Sequence, residues 1–282
     1  MSLAPSRRIV KIAPIMRLTV AYSPCPNDTF MFHGLDSDRT RAAGYELDVH
    51  LHDIETLNRL AMEGCFDVTK ISFHAYLLAR DHYELLASGS AVGRGCGPVC
   101  VSRERIDVDD LPRCVVAVPG ELTTAHLLLR LLAPRVRHTV FVRYDAVMPM
   151  VARGEADCGV VIHEGRFVYE RAGLHCVVDL GQWWENRTGM PMPLGGIVAR
   201  RSLGPVRIAQ IDDLIRASIG RAISDPESAM PYVRRHAREM DEQVLVRHIE
   251  TFVTEQSLVL GPEARLAVER LEALARQAGV VA

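Results

Sequence analysis

Four apolar runs in this chain each end in a residue able to do chemistry. Leu18, Thr19, Val20, Ala21 and Tyr22 break into Ser23, Pro24, Cys25, Pro26, Asn27, Asp28 and Thr29; Phe66–Ile71 ends at Ser72; Val115–Val118 leads to Thr123 and Thr124; and Cys158–Ile162 is followed by His163. Hydroxyls beside a helix start can bind an anion, because the first-turn amides lack partners and the helix dipole is positive there. A single threonine in that place also serves simply as a cap. A histidine that leaves a strand end is suited to proton abstraction, since its ordinary pKa, about 6.5, keeps much of it neutral near physiological pH. A buried structural histidine is the alternative reading of the same position.

These residues need strands that stop together. An apolar, β-branched run reads as a buried strand, and Pro24 and Pro26 then forbid strand pairing or helix until Asn27, where Asn27, Asp28 or Thr29 can cap a helix. Strand, stiff polar loop and helix start form the place where ligands meet open α/β sheets. Tyr45–Leu51 alternates like a strand, and Ile54–Glu63 has helical spacing with Gly64 as its stop. The pattern repeats downstream: a helix over Val147–Arg153, Gly154, then Asp157 and the strand to Ile162. Two similar α/β halves are expected, one presenting Ser72 and the other His163.

Leu122–Ala133 is a strongly apolar helix stopped by Pro134, with Thr123 and Thr124 in its first turn. Ser88–Pro98 is glycine-rich but matches no phosphate loop, so a hinge or a tight pocket wall is expected. Gly181–Pro193, with Trp183 and Trp184, reads as an irregular loop over a cleft, and Gly195–Arg200 as a returning strand. From Val206 onward the chain is helical. His50, His52 and Asp53 invite a metal but lack a third well-placed ligand.

With 282 residues, 48% hydrophobic and 24% charged, the chain can bury a core large enough for two lobes, and a net charge of −2 offers no general attraction to nucleic acid or membranes. A small molecule is the expected partner. Seven scattered cysteines without close pairing read as reduced thiols and point to the cytoplasm. Arg7, Arg8 and Lys11 near the start flank no segment long enough for a signal or span, and Met16 is an alternative start.

The run Ser23–Phe30, continued by Met31, Phe32, His33 and Gly34, resembles the signature of 1,4-dihydroxy-6-naphthoate synthases of the futalosine route to menaquinone. Asp67–Phe73, Gly93–Arg103, Pro119–Thr124, Val161–Phe167 and Leu180–Gly196 match the same family in order. The resemblance implies a two-lobed α/β fold of the periplasmic-binding-protein (type II) kind, with a cleft between lobes and a helical C-terminal part. Lobe 1 would comprise 17–101 plus 197–282, and lobe 2 would comprise 102–196. It implies a lyase that converts cyclic dehypoxanthinylfutalosine into 1,4-dihydroxy-6-naphthoate and releases dihydroxyacetone, the three-carbon sugar remainder, without a cofactor or metal. Asn27, Lys70, Ile71, Ser72, Thr123 and Thr124 would bind the carboxylate substrate, and His163 would be the base. A homodimer would be compatible. A chorismate dehydratase-like enzyme or a small-carboxylate solute receptor would share the fold; the receptor normally needs an export signal. Glu121 would set a negative charge near a bound carboxylate unless it points outward, and Cys25, held between prolines, is expected to serve shape rather than catalysis.

Overall fold

The computed structural model describes residues 15–281 except 36, 239 and 240. Arg7, Arg8 and Lys11 therefore lie outside the described residues.

The first sheet begins with β1 (Met16–Tyr22), β2 (Tyr45–Leu51) and β3 (Val68–Ser72), joined by helices α1 (Pro26–Phe32), α2 (Asp38–Ala42) and α3 (Ile54–Met62). β1 pairs in parallel with both β2 and β3. Helix α4 (Phe73–Ala79) leads to β4 (Tyr83–Leu85) and β5 (Ala91–Gly93). The second sheet contains β6 (Val99–Ser102), β7 (Val115–Val118), β8 (His138–Phe141), β9 (Cys158–Val161) and β10 (His175–Asp179), with α5 (Thr124–Leu132), α6 (Tyr144–Ala152) and α7 (Gly165–Val168) between strands. After α8 (Leu180–Thr188), β11 (Met192–Arg200) returns antiparallel to β3 in the first sheet. The strand orders are β2-β1-β3-β11-β4, with β5 also on β11, and β10-β6-β9-β7-β8.

The two halves repeat one plan. β7 pairs in parallel with β8 and β9, as β1 does with β2 and β3, and β9 meets antiparallel β6 as β3 meets β11. The repeat reaches single hydrogen bonds. Asp67 donates its N–H to Thr19 O and accepts from Thr19 N, at 3.1 and 3.0 Å; Asp157 does the same with Val115, at 3.0 and 2.8 Å. Ser72 and His163 consequently leave equivalent strands of the two halves, as the Gly–Asp–strand pattern leads one to expect.

β6 lies in the second sheet and β11 in the first, so the chain leaves one sheet after Gly93 and regains it at Met192, ahead of the crossings expected near Val101 and Ile197. The segment expected to be an irregular tryptophan loop is instead mostly helix α8. Asp179 caps it by accepting from Gln182 N, Gly189 ends it in the left-handed region, and Trp184 is fully buried with Nε1 donating to Pro191 O. Gly181 is required there, because a Cβ would stand 1.9 Å from Cys96 O in the crossing segment.

The helical finish comprises α9 (Pro205–Ser224), α10 (Pro226–His236), α11 (Glu242–Phe252), α12 (Glu255–Leu258) and α13 (Pro262–Gln277). Ile211, Ile215 and Ile219 of α9 close the core of the first sheet with Leu18 and Val20. Leu271 and Leu274 of α13 share a core with Leu127 and Leu128 of α5, so the last helix also secures the second half. No described helix is long and apolar enough to cross a membrane.

Candidate active site

One cavity between the sheets is lined by Asn27, Lys70, Ser72, Thr123, Thr124 and His163, together with Ser23, Asp28, Gly97 and Pro98. Ile71 is absent from its wall. Side chains alternate along a strand, so Lys70 and Ser72 face the cavity while Ile71 packs behind with Ala75, Tyr83 and Val198.

The signature loop holds a buried ion pair. Lys70 Nζ stands 3.2 Å from Asp28 Oδ1 and donates to Gly89 O at 3.1 Å. Asp28 Oδ2 accepts from Ser23 Oγ at 2.6 Å and from Ser23 N, and its Oδ1 accepts from Asn27 Nδ2 at 3.0 Å. The ammonium on the cavity wall is thus already matched by a carboxylate, and Asp28, which spacing alone did not single out, is its counter-charge. Cys25 beside it is buried; burial above all, with Glu164 and Asp28, raises its thiol well above the ordinary value, so the protonated, weakly nucleophilic form prevails.

Across the cavity, Thr123 is the N-cap of α5 rather than a first-turn residue: its Oγ1 accepts from His126 N and donates to Gly120 O. Thr124 Oγ1 donates to Leu194 O at 2.7 Å and accepts from His74 N. The Thr124 hydroxyl therefore ties the halves together, whereas that of Thr123 only closes the helix start. The amides just before the helix, Glu121 N and Leu122 N, donate to the Glu55 carboxylate at 3.1 and 3.0 Å. Gly120 permits this approach, since a Cβ there would lie 2.5 Å from Glu55 Oε2. What remains for a ligand anion is the first turn of α5 itself, whose amides at Thr124 and Ala125 have no intrahelical acceptor and which lines the cavity. Glu121 points outward to Arg59, 3.2 Å away, and leaves that end free of its charge.

His163 is the single described non-glycine residue with positive φ, 56°. A left-handed turn costs an ordinary residue roughly 1–2 kcal/mol and is held by its surroundings. Here Gly165 N and Arg166 N close back on Ile162 O and His163 O, while Arg166 reaches Gly97 O, Gly95 O and Asp179. The His163 ring lies edge-on to Tyr144 with centroids 4.9 Å apart, and its buried Nε2 has no hydrogen-bond partner. Burial lowers its pKa to about 4, with Lys70 adding to that direction and Asp28 opposing it, so the ring is neutral at physiological pH.

The other candidates lie apart. Asp53 caps α3, accepting from Glu55 N and Thr56 N, and His50 and His52 stack on each other and meet Phe66 at a tilt. Among the described residues no group of three or more His, Cys, Asp or Glu side chains could hold a metal.

Two α/β halves, crossed twice by the chain and closing on a cavity of mixed polar and apolar lining, define a periplasmic-binding-protein-like fold. The alkanesulfonate-binding protein SsuA of Xanthomonas axonopodis pv. citri superposes with TM-score 0.69, covering 96% of each chain, though only 14% of residues are identical, so that likeness concerns the fold alone. A crystal structure of an Archaeoglobus fulgidus protein agrees more closely, at TM-score 0.87 and 34% identity over 94% of this chain and 98% of that one. The family model described as menaquinone biosynthesis matches residues 18–277, and the chain belongs to that family. Two curated relatives carry the name 1,4-dihydroxy-6-naphthoate synthase: one from Thermus thermophilus, 48% identical over 94% of this chain and 96% of its own, and one from Streptomyces coelicolor, 44% identical over 94% of both.

Proposed function

We propose that the chain is a 1,4-dihydroxy-6-naphthoate synthase, a lyase that takes cyclic dehypoxanthinylfutalosine to 1,4-dihydroxy-6-naphthoate and dihydroxyacetone. The observation that carries the chemistry is His163: a neutral imidazole in a strained left-handed turn, with a buried Nε2 unclaimed by any protein acceptor or donor, on the cavity wall. Its lone pair takes a proton from the substrate, the electron pair left behind moves as the carbon–carbon bond to the sugar remainder breaks, and the imidazolium returns the proton to the departing fragment. The chemistry therefore balances without an oxidant.

The substrate carboxylate is assigned to the first turn of α5 and to Ser72, since the Lys70 charge is matched by Asp28. Ser72 is held by Asn58, which donates from Nδ2 to Ser72 Oγ at 3.1 Å and accepts from Ser72 N at 2.8 Å. A matched Lys70–Asp28 pair inside the cavity stabilises developing oxyanion charge by local orientation rather than by net charge. Free cysteines throughout the described chain fit a reducing compartment, and the enzyme is assigned to the cytoplasm on that basis.

The test is direct. Purified protein incubated with cyclic dehypoxanthinylfutalosine should release 1,4-dihydroxy-6-naphthoate and dihydroxyacetone in equal amounts; consumption of chorismate instead would move the assignment to the dehydratase.

A further inference from the structure

Behind His163 lies a second histidine that no spacing in the sequence connects to the site. His248, on α11, is fully buried, and its ring stacks on that of His163 with centroids 6.1 Å apart and planes 22° from parallel. Phe167 and Phe252 pack against the same ring. Its Nε2 meets Asn27 Oδ1 at 3.0 Å.

The orientation of that amide is not free. Asn27 Nδ2 donates to Asp28 Oδ1, a carboxylate oxygen that can only accept, so Asn27 presents its oxygen to His248. His248 must then carry its proton on Nε2. Its Nδ1 is left bare and buried without a hydrogen-bond partner, 4.0 Å from Glu164 Oε2, and burial, with His163 close by, keeps the ring neutral. The charged and titratable groups around the two rings are Asp28 and Lys70 beneath, Asp53 ahead of α3, Glu164, Tyr144 on α6 and Cys25.

From this geometry we infer that His248 is a positioning residue for the reaction. Its Nε2–H fixes the Asn27 amide, and through it the Asp28–Lys70 pair on the cavity floor; its neutral ring face seats His163. The inference rests on the proposed synthase activity and adds to it a tautomer-specific hydrogen bond whose one partner lies 221 positions away in the chain.

Three variants separate this role from mere packing. His248→Phe keeps an aromatic ring among Phe167 and Phe252 but removes the donor, leaving Asn27 Oδ1 buried and unpaired; kcat/KM for naphthoate release should fall about 10-fold or more. His248→Gln suits the apolar cluster less and should unfold at a lower temperature, yet its amide nitrogen can replace Nε2–H and should hold kcat/KM within about 3-fold of the parent. Activity and stability are thus expected to rank the two variants in opposite order. Asn27→Ala, which removes the same bond from its other side and the bond to Asp28 as well, should lose at least as much activity as His248→Phe. In the unsubstituted protein, ¹⁵N resonances of His248 should show protonated Nε2 and bare Nδ1 between pH 6 and 8. If His248→Phe matches or exceeds His248→Gln in activity, or the tautomer is reversed, the inference is overturned. If the unsubstituted protein releases no naphthoate, the proposed activity fails and this role falls with it.

Discussion

Separating Lys70 from Asp28 should expose how the cavity floor is held. The two charges are 3.2 Å apart with side chains 5% and 2% exposed, which corresponds to about 5 kcal/mol of attraction at an effective dielectric of 20. Breaking a buried pair from one side typically costs about 3–5 kcal/mol, because the remaining charge is stranded. The two sides are unequal here. After Lys70→Met, Asp28 still accepts from Ser23 Oγ, Ser23 N and Asn27 Nδ2, whereas after Asp28→Asn the ammonium retains Gly89 O as its named acceptor. Asp28→Asn should therefore lose about 4–5 kcal/mol and Lys70→Met about 3 kcal/mol, and the double variant should lose less than their sum by 1 kcal/mol or more, on the scale of couplings of about 0.5–3 kcal/mol between touching groups. Urea unfolding at pH 7, followed by circular dichroism and analysed as a double-mutant cycle, measures all three. Additive losses, or a Lys70→Met variant less stable than Asp28→Asn, would refute the reasoning.

Thr123→Val should cost about 1 kcal/mol of stability through loss of the α5 cap, while Thr124→Val, which breaks the bond to Leu194 O, should chiefly raise KM; a thermal melt and steady-state rates separate the two. Acid should destabilise the fold. His74 is lowered to about 4, mainly by burial, and His248 is well below its ordinary value. Both folded pKa values lie under the unfolded one, so between about pH 6.5 and 4 the unfolded chain binds more protons; stability present above 6.5 is lost on acidification, on the order of 3 kcal/mol from His74 alone. An unchanged urea midpoint from pH 7.5 to 5 would contradict this. Cys25→Ser should retain turnover, since the thiol is buried and protonated; an inactive variant that still binds substrate would make the thiol a participant.

How much of this was legible follows from which interactions are local. The strand–loop–helix around Ser23–Phe30 and the Gly–Asp–strand repeat rest on neighbouring residues, and strand alternation settles why Lys70 and Ser72 face the cavity while Ile71 does not. Helix α8 was hidden because glycines and tryptophans make a weak helical pattern; Gly181 is retained for its contact with the crossing segment, a tertiary demand. The roles of Glu55 and Thr124 were equally invisible, for each depends on a partner in the other half, whereas the Thr123 cap is local and was one of the two readings open for that position. His248 sits in an ordinary amphipathic helix, and only the fold brings it to Asn27 and His163.

The central claim is that His163 is the base. His163→Asn keeps much of the size and polarity of the side chain, and asparagine tolerates the left-handed φ of 56° better than most residues. Single-turnover formation of 1,4-dihydroxy-6-naphthoate from bound cyclic dehypoxanthinylfutalosine should fall by about 10²- to 10⁴-fold in that variant, with substrate affinity and the melting temperature near those of the parent. A folded His163→Asn protein that forms naphthoate at nearly the parental rate would contradict the account.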